Sequence, residues 1–308
     1  MTPTPLAEVA PSERPTLFER PAWSATSAAG RLLSTEATEE ELLRHCLETT
    51  GRLLGDFRRG LELLTQRERE RAILLGALVE ALLDVAVGPP SAEVASRIAD
   101  LNRIAFQIAR VLRGEDAESA YLRLFAAEAR RRSFTRRALD ELFAFARIVA
   151  RDPRPADPEA LDVRARHLGE AIAMATLGAE PTASLVDLVA GAIRLVRLQQ
   201  LSRDLGRNFS TLPASELPEP IQYRTEDEIV AAVERECGAL HHLLLKGARA
   251  AGEVPLTFRR PAAYLLPVAI ALLGLLEERP RLLARNVRHV GSWKLRLHFW
   301  RARWTPLS

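Results

Sequence analysis

Between Asp56 and Pro90 the chain reads DFRRGLELLTQRERERAILLGALVEALLDVAVGPP. Apolar residues recur there at three- and four-residue intervals on either side of a charged turn, and Gly88-Pro89-Pro90 closes the second half. That spacing lines the apolar side chains along one stripe of a helix, whereas a half-buried strand needs strict alternation. The glycine and the two prolines then stop the helix. The pattern recurs along the chain, and the residue usage agrees with it. Ala, Leu, Arg and Glu, which favour helix, dominate, while Tyr, Ile and Thr are scarce. An all-α protein is expected.

Residues 1–34 read as a Pro-, Ser- and Thr-rich flexible leader. Thr38 and Glu41 form a capping-box pattern that opens the first helix, running to about Gly51. After the 56–90 segment, helices are expected over about 91–113, 115–132, 134–151, 158–178, 181–207, 225–251 and 258–276, with a last one near 279–288. The Pro-rich RDPRPADP, residues 151–158, is too short for a domain linker. The expected organisation is a leader over 1–34, one helical domain over 35–290 and a basic, aromatic tail over 291–308.

The 43 basic and 40 acidic residues leave a formal charge of +3, so the pI of about 9.2 reflects abundant Arg and implies no nucleic-acid partner. Cys46 and Cys237 stand far apart and outside any Cys-x-x-Cys pattern, which excludes a disulfide framework and a Cys-rich zinc site. With no signal-like N-terminus, the expected location is the cytoplasm. The longest apolar run, PAAYLLPVAIALLGLL from Pro261 to Leu276, is shorter than the roughly 20 residues that span a bilayer and is interrupted by Pro267. It reads as a buried core helix.

Two acids stand out. Asp84 and Asp204 lie near the C-terminal ends of two long apolar helices. Facing one another across a cavity, they could hold Mg²⁺, which takes carboxylate oxygens and keeps positions for substrate phosphates. Walls of Leu, Ala and Phe would accept a hydrocarbon chain. The competing reading is an interior ion-pair network, with Asp204 paired to Arg197, Arg203 or Arg207. Glu80, one turn before Asp84, is a candidate replacement carboxylate or an ion-pair partner. Arg130, Arg131, Arg132, Arg136 and Arg137 read as a solvated basic face. Cys237, His241 and His242 offer i, i+4 spacing for a soft metal but no fourth ligand.

Taken in order, these residues resemble the squalene and phytoene synthases, which join two prenyl diphosphates head to head. Phe57, Leu63-Leu64, Ala72-Ile73 and Asp84 follow the order of that family's first half, whose Asp-rich motif is D-x-x-x-D. Arg203-Asp204, Thr211-Leu212-Pro213 and Glu216-Leu217 follow its second motif, N-x-x-R-D-x-x-E-D and the Leu-Pro step after it. RRPAAYLLPVAIALLGLLEERPRLLARNVRHVGSWKL, ending near Lys294, is similar to its closing segment, and the resemblance covers about residues 40–297. The departures fall on the acids. Gly88 stands at the second carboxylate of the first motif, and Gln200, Arg207 and Asn208 stand for Asn, Glu and Asp in the second. Asp56 replaces a Ser, and DVRARHLGEA has no Tyr.

The resemblance implies an isoprenoid-synthase-type helical bundle around a central apolar cavity. It implies farnesyl or geranylgeranyl diphosphate as substrate, and a Mg²⁺ cluster that neutralises the departing diphosphate. On that reading Asp84 and Asp204 are catalytic. Glu80, Asp84, Asp204 and Asn208 hold metal, and Phe57, Gln200, Arg203 and Arg207 bind substrate. The alternative is a divergent member without catalysis that keeps the fold as a lipid-binding or assembly module. In the tail, WKLRLHFWRARW mixes Trp293, Trp300 and Trp304 with Lys294, Arg296, Arg301 and Arg303. That composition suits peripheral contact with the inner membrane surface, or aromatics folded onto the body of the protein.

Overall fold

The structure, a computed structural model, describes residues 30, 32–33, 38–88, 92–117, 119–131, 136–177, 180–205, 212–217, 226–248, 254–278, 280 and 289–304. Most of the leader and the helix expected near 279–288 lie outside these. Among the described residues there is no strand.

Thr38 and Glu41 form the capping box read from the sequence, with the Thr38 N–H donating to Glu41 Oε2 at 3.0 Å, and they open α1, Glu39–Leu54. Gly55 ends α1 at φ 54°, in the left-handed region where glycine is at home. A side chain there would also meet Gln199 Oε1 at 2.4 Å. The first half of the 56–90 segment is a 3-10 helix, Gly55–Leu63, and not the α-helix its spacing suggests. It is confined between the Gly55 break and a second capping box, Thr65 with Glu68, which starts α2, Gln66–Val87. Gly88, again at positive φ, closes α2.

Then follow α3 Val94–Leu112, α4 Ala120–Arg131, α5 Arg136–Arg151, α6 Pro158–Leu177 and α7 Ala183–Gln199. The helix expected over 181–207 breaks at Gln200, whose side-chain amide donates to the Arg52 carbonyl at 2.6 Å, and resumes as the short α8, Leu201–Leu205. The chain continues with α9 Glu226–Ala248, α10 Leu256–Glu278 and α11 Ser292–Trp304.

The apolar interior forms two packed clusters. One gathers α1 to α6 around α2, with Leu78, Leu82, Tyr121 and Leu142 almost fully buried. The other gathers the 3-10 helix and α7 to α11 around α7 and α10. RDPRPADP is part of the body and not a linker: the Ala214 and Ser215 N–H groups donate to the carbonyls of Pro155 and Ala156 at 2.8 and 2.9 Å.

By length and composition the Phe258–Glu278 part of α10 could cross a membrane. Here it is a core helix, burying Tyr264, Val268, Leu272 and Leu276 on one face. The Tyr264 hydroxyl donates to the Asp56 carbonyl at 2.9 Å. The expected tail is the helix α11, which packs Phe299 and Ala302 against α10 and the 3-10 helix.

Candidate functional site

A cavity of about 320 Å³ is walled by side chains from both core clusters. Phe57 of the 3-10 helix, Val79 and Leu83 of α2, Phe145 of α5, Leu188 of α7 and Leu265 of α10 are typical of its lining. Among the described residues its polar members are Thr176, Arg164, Arg194 and Arg197. Thr176 turns its hydroxyl to the Ile172 carbonyl at 2.7 Å.

Each arginine meets an acid. Arg194, 4% exposed, clasps Glu236 of α9 through two bonds of 2.8 and 2.7 Å and also meets Asp162 of α6. Burial alone would favour discharging its guanidinium, but Glu236 and Asp162 outweigh it and hold the pKa above the ordinary Arg value. Arg197 donates to Asp204 at 2.9 Å, both side chains being buried. Arg164 donates to Asp152 at 3.0 Å, and burial holds its pKa below the ordinary value despite that partner. About two turns before Arg194 on α7, the buried Asp187 pairs with Arg166 of α6 and Lys246 of α9 at 2.8 and 2.7 Å. Charge on the wall is thus matched within the protein, leaving hydrocarbon as the surface presented to a ligand.

The carboxylates expected to hold metal do not share in this wall. α2 turns Val79 and Leu83 to the cavity, and Glu80 and Asp84 each lie one position, about 100°, further round the helix. Glu80 is buried, Asp84 is half-buried, and Asp204 is fully buried against Arg197. Among the described residues no three His, Cys, Asp or Glu gather into a group able to hold a metal ion. Glu80, Asp84 and Asp204 thus do not form a closed carboxylate cage, and Mg²⁺ held by one or two of them would take its remaining oxygens from water or phosphate. Asn208, with Arg207 and the Arg203 side chain, lies outside the described residues.

Of the residues expected to bind substrate, Phe57 lies in the wall and Gln200 does not. Asp56 is engaged elsewhere: its carboxylate accepts the Val290 N–H at 2.7 Å and lies 2.8 Å from His289 Nδ1. Cys237 is buried while His241 and His242 are exposed, so that trio shares no metal position. In the basic run, Arg130 donates to the Val111 carbonyl and Arg137 pairs with Glu170 and Glu180.

The sequence reading passed over Arg164 and Arg194. For Arg194 the signal was present, because a lone Arg inside the apolar run LVDLVAGAIRLV must either be paired or face a ligand.

No protein-family model and no curated protein matches the sequence. Solved structures do match the fold. A dehydrosqualene synthase in complex with ligand superposes with a TM-score of 0.65 at 12% identity, over 86% of this chain and 96% of that one. Squalene synthase HpnC from Alicyclobacillus acidocaldarius gives a TM-score of 0.60 at 17% identity, over 82% of this chain and 98% of that one. The helical bundle thus has the fold of the squalene and dehydrosqualene synthases.

Proposed function

We propose that the protein binds the hydrocarbon chain of an isoprenoid in its central cavity and does not condense prenyl diphosphates with the help of Mg²⁺. The observation that carries this reading is the wall itself, which among the described residues is apolar except for Thr176 and three arginines that each meet an acid. An apolar chain entering such a cavity gains the transfer free energy of its buried surface and strands no charge. A diphosphate that drew Arg194 or Arg197 to itself would leave the buried carboxylate of Glu236 or Asp204 without its partner. The volume lies at the low end of small-molecule sites, which run from roughly 300 to 1,000 Å³. It suits a single chain, so one ligand per protein is expected.

The test is displacement of a fluorescent apolar probe by farnesol and geranylgeraniol, alongside farnesyl and geranylgeranyl diphosphate, with Mg²⁺ or with chelator. The alcohols should displace the probe at least as well as the diphosphates, with one site and no effect of Mg²⁺. Metal-dependent release of diphosphate with formation of a doubled-chain product would overturn the reading and restore the condensing enzyme, with Glu80 the first carboxylate to replace.

A further inference from the structure

The C-terminal helix α11 carries apolar side chains on two opposite faces. Leu295, Phe299 and Ala302 pack inward, Phe299 making an edge contact with Tyr264 at 6.5 Å between centroids. The opposite face bears Trp293, Leu297, Trp300 and Trp304, exposed by 65, 43, 52 and 74%. Their spacing of four, three and four residues keeps them within about 60° of one another at 100° per residue, so they form a single straight stripe. Arg296 and Arg303 border one side of it, and Lys294 and Arg301 the other. All four are exposed.

The helix contains no acidic residue. Burial, together with the positive charges of Arg301 and Lys294, holds the His298 pKa below its ordinary value, which marks the crowding of cations here. Lys294 lies over the Trp293 ring and Arg303 over the Trp300 ring, at 5.9 and 5.7 Å from the centroids. An aqueous surface gains nothing from three exposed indoles in line, and a protein partner of ordinary composition does not call for a cationic border on both sides of them. Indole is at home at the water–hydrocarbon boundary, with its ring among acyl chains and its N–H in water. Lys and Arg reach from the same depth to anionic headgroups.

We propose that this outer face of α11 docks the protein on an anionic lipid bilayer, the tryptophan stripe entering the interface and the four flanking cations contacting lipid headgroups. The helix would lie in the plane of the surface, anchored to the body of the protein by its inner face. The surface stands apart from the cavity and does not depend on what the cavity holds.

The experiment is flotation of the full chain with vesicles of phosphatidylcholine, alone or mixed with phosphatidylglycerol, with tryptophan emission followed in a Trp23→Phe background so that α11 supplies the signal. Binding to the mixed vesicles with a blue shift, weakened by salt, is expected. Arg296→Gln and Arg303→Gln should each weaken it about fivefold. Replacing Trp293, Trp300 and Trp304 together by Ala should weaken it more than about tenfold, with the helical circular dichroism retained. No binding to the mixed vesicles, or binding unchanged by the triple replacement, overturns the proposal. Equal binding to neutral vesicles overturns the anionic assignment. A concentration-dependent dimer that the triple replacement abolishes would assign the stripe to a second copy of the chain instead.

Discussion

Asp204 shows how a single residue's meaning depends on its neighbours. Its place in a motif suggested a metal ligand, but its carboxylate is fully buried and accepts from Arg197, seven residues earlier. Truncating one partner of such a pair leaves the other charge in a poor solvent. Asp204→Ala is therefore expected to cost about 3 kcal/mol of unfolding free energy in urea titration, and Glu236→Ala about as much through Arg194. A metal ligand on a bare wall would leave stability nearly unchanged when removed. The thiols give a second test. Burial pushes both Cys46 and Cys237 up to about 12 from an ordinary value near 9. Neither should react with a thiol reagent at neutral pH until the chain unfolds, when both should. Because the folded pKa is the higher one, the unfolded chain loses these protons first. Their contribution to stability is complete below about pH 9 and is lost as pH rises toward about 12. The midpoint of urea unfolding should fall across that window.

At the level of elements, α7 is the helix on which the others depend. It is clasped by α6 and α9 through Asp187 and Arg194, and both neighbours come close by presenting a glycine. A Cβ on Gly169 of α6 would sit 3.2 Å from the Ala190 nitrogen and the Val186 carbonyl oxygen. A Cβ on Gly247 of α9 would sit 2.7 Å from the Leu188 Cα, where backbone cannot yield. Gly247→Ala is thus expected to destabilise by about 1–3 kcal/mol despite the better helix propensity of Ala. Gly238→Ala, on the same helix with nothing within 4 Å of the added carbon, should be neutral or stabilising by up to about 1 kcal/mol. Thermal melts of the two variants separate close packing from propensity. Such approaches are where sequence reading reached its limit. Caps such as Thr38 with Glu41, and stops such as Gly88, are local chemistry and were legible. The 3-10 form of Gly55–Leu63 and the break at Gln200 depend on Gln199, Tyr264 and Arg52, partners far along the chain. The same distance hid the site: Phe57 could be named, but spacing alone could not show that Val79 and Leu83, and not Glu80 and Asp84, face the cavity.

For the molecule as a whole, a ligand that prefers the folded state must raise the unfolding temperature in proportion to its occupancy. Geranylgeraniol at a hundred times its dissociation constant should add about 2.7 kcal/mol, read as an upward shift of the melt that a bulky replacement such as Ala192→Trp in the cavity wall removes. The second core cluster is closed by residues from early and late in the chain. The buried Asp56 carboxylate accepts the backbone N–H of Val290, 234 residues later. A ribosome adding roughly 5–20 residues per second needs on the order of 10 to 50 seconds to supply that donor. Until then the 3-10 helix carries a carboxylate that must keep its water, and the face it will later share with α10 and α11 is open. The N-terminal cluster around α2 can consolidate early in synthesis, while closure around the cavity waits until α10, Val290 and α11 have been made. A chaperone that protects this nascent chain has its longest task at the 3-10 helix.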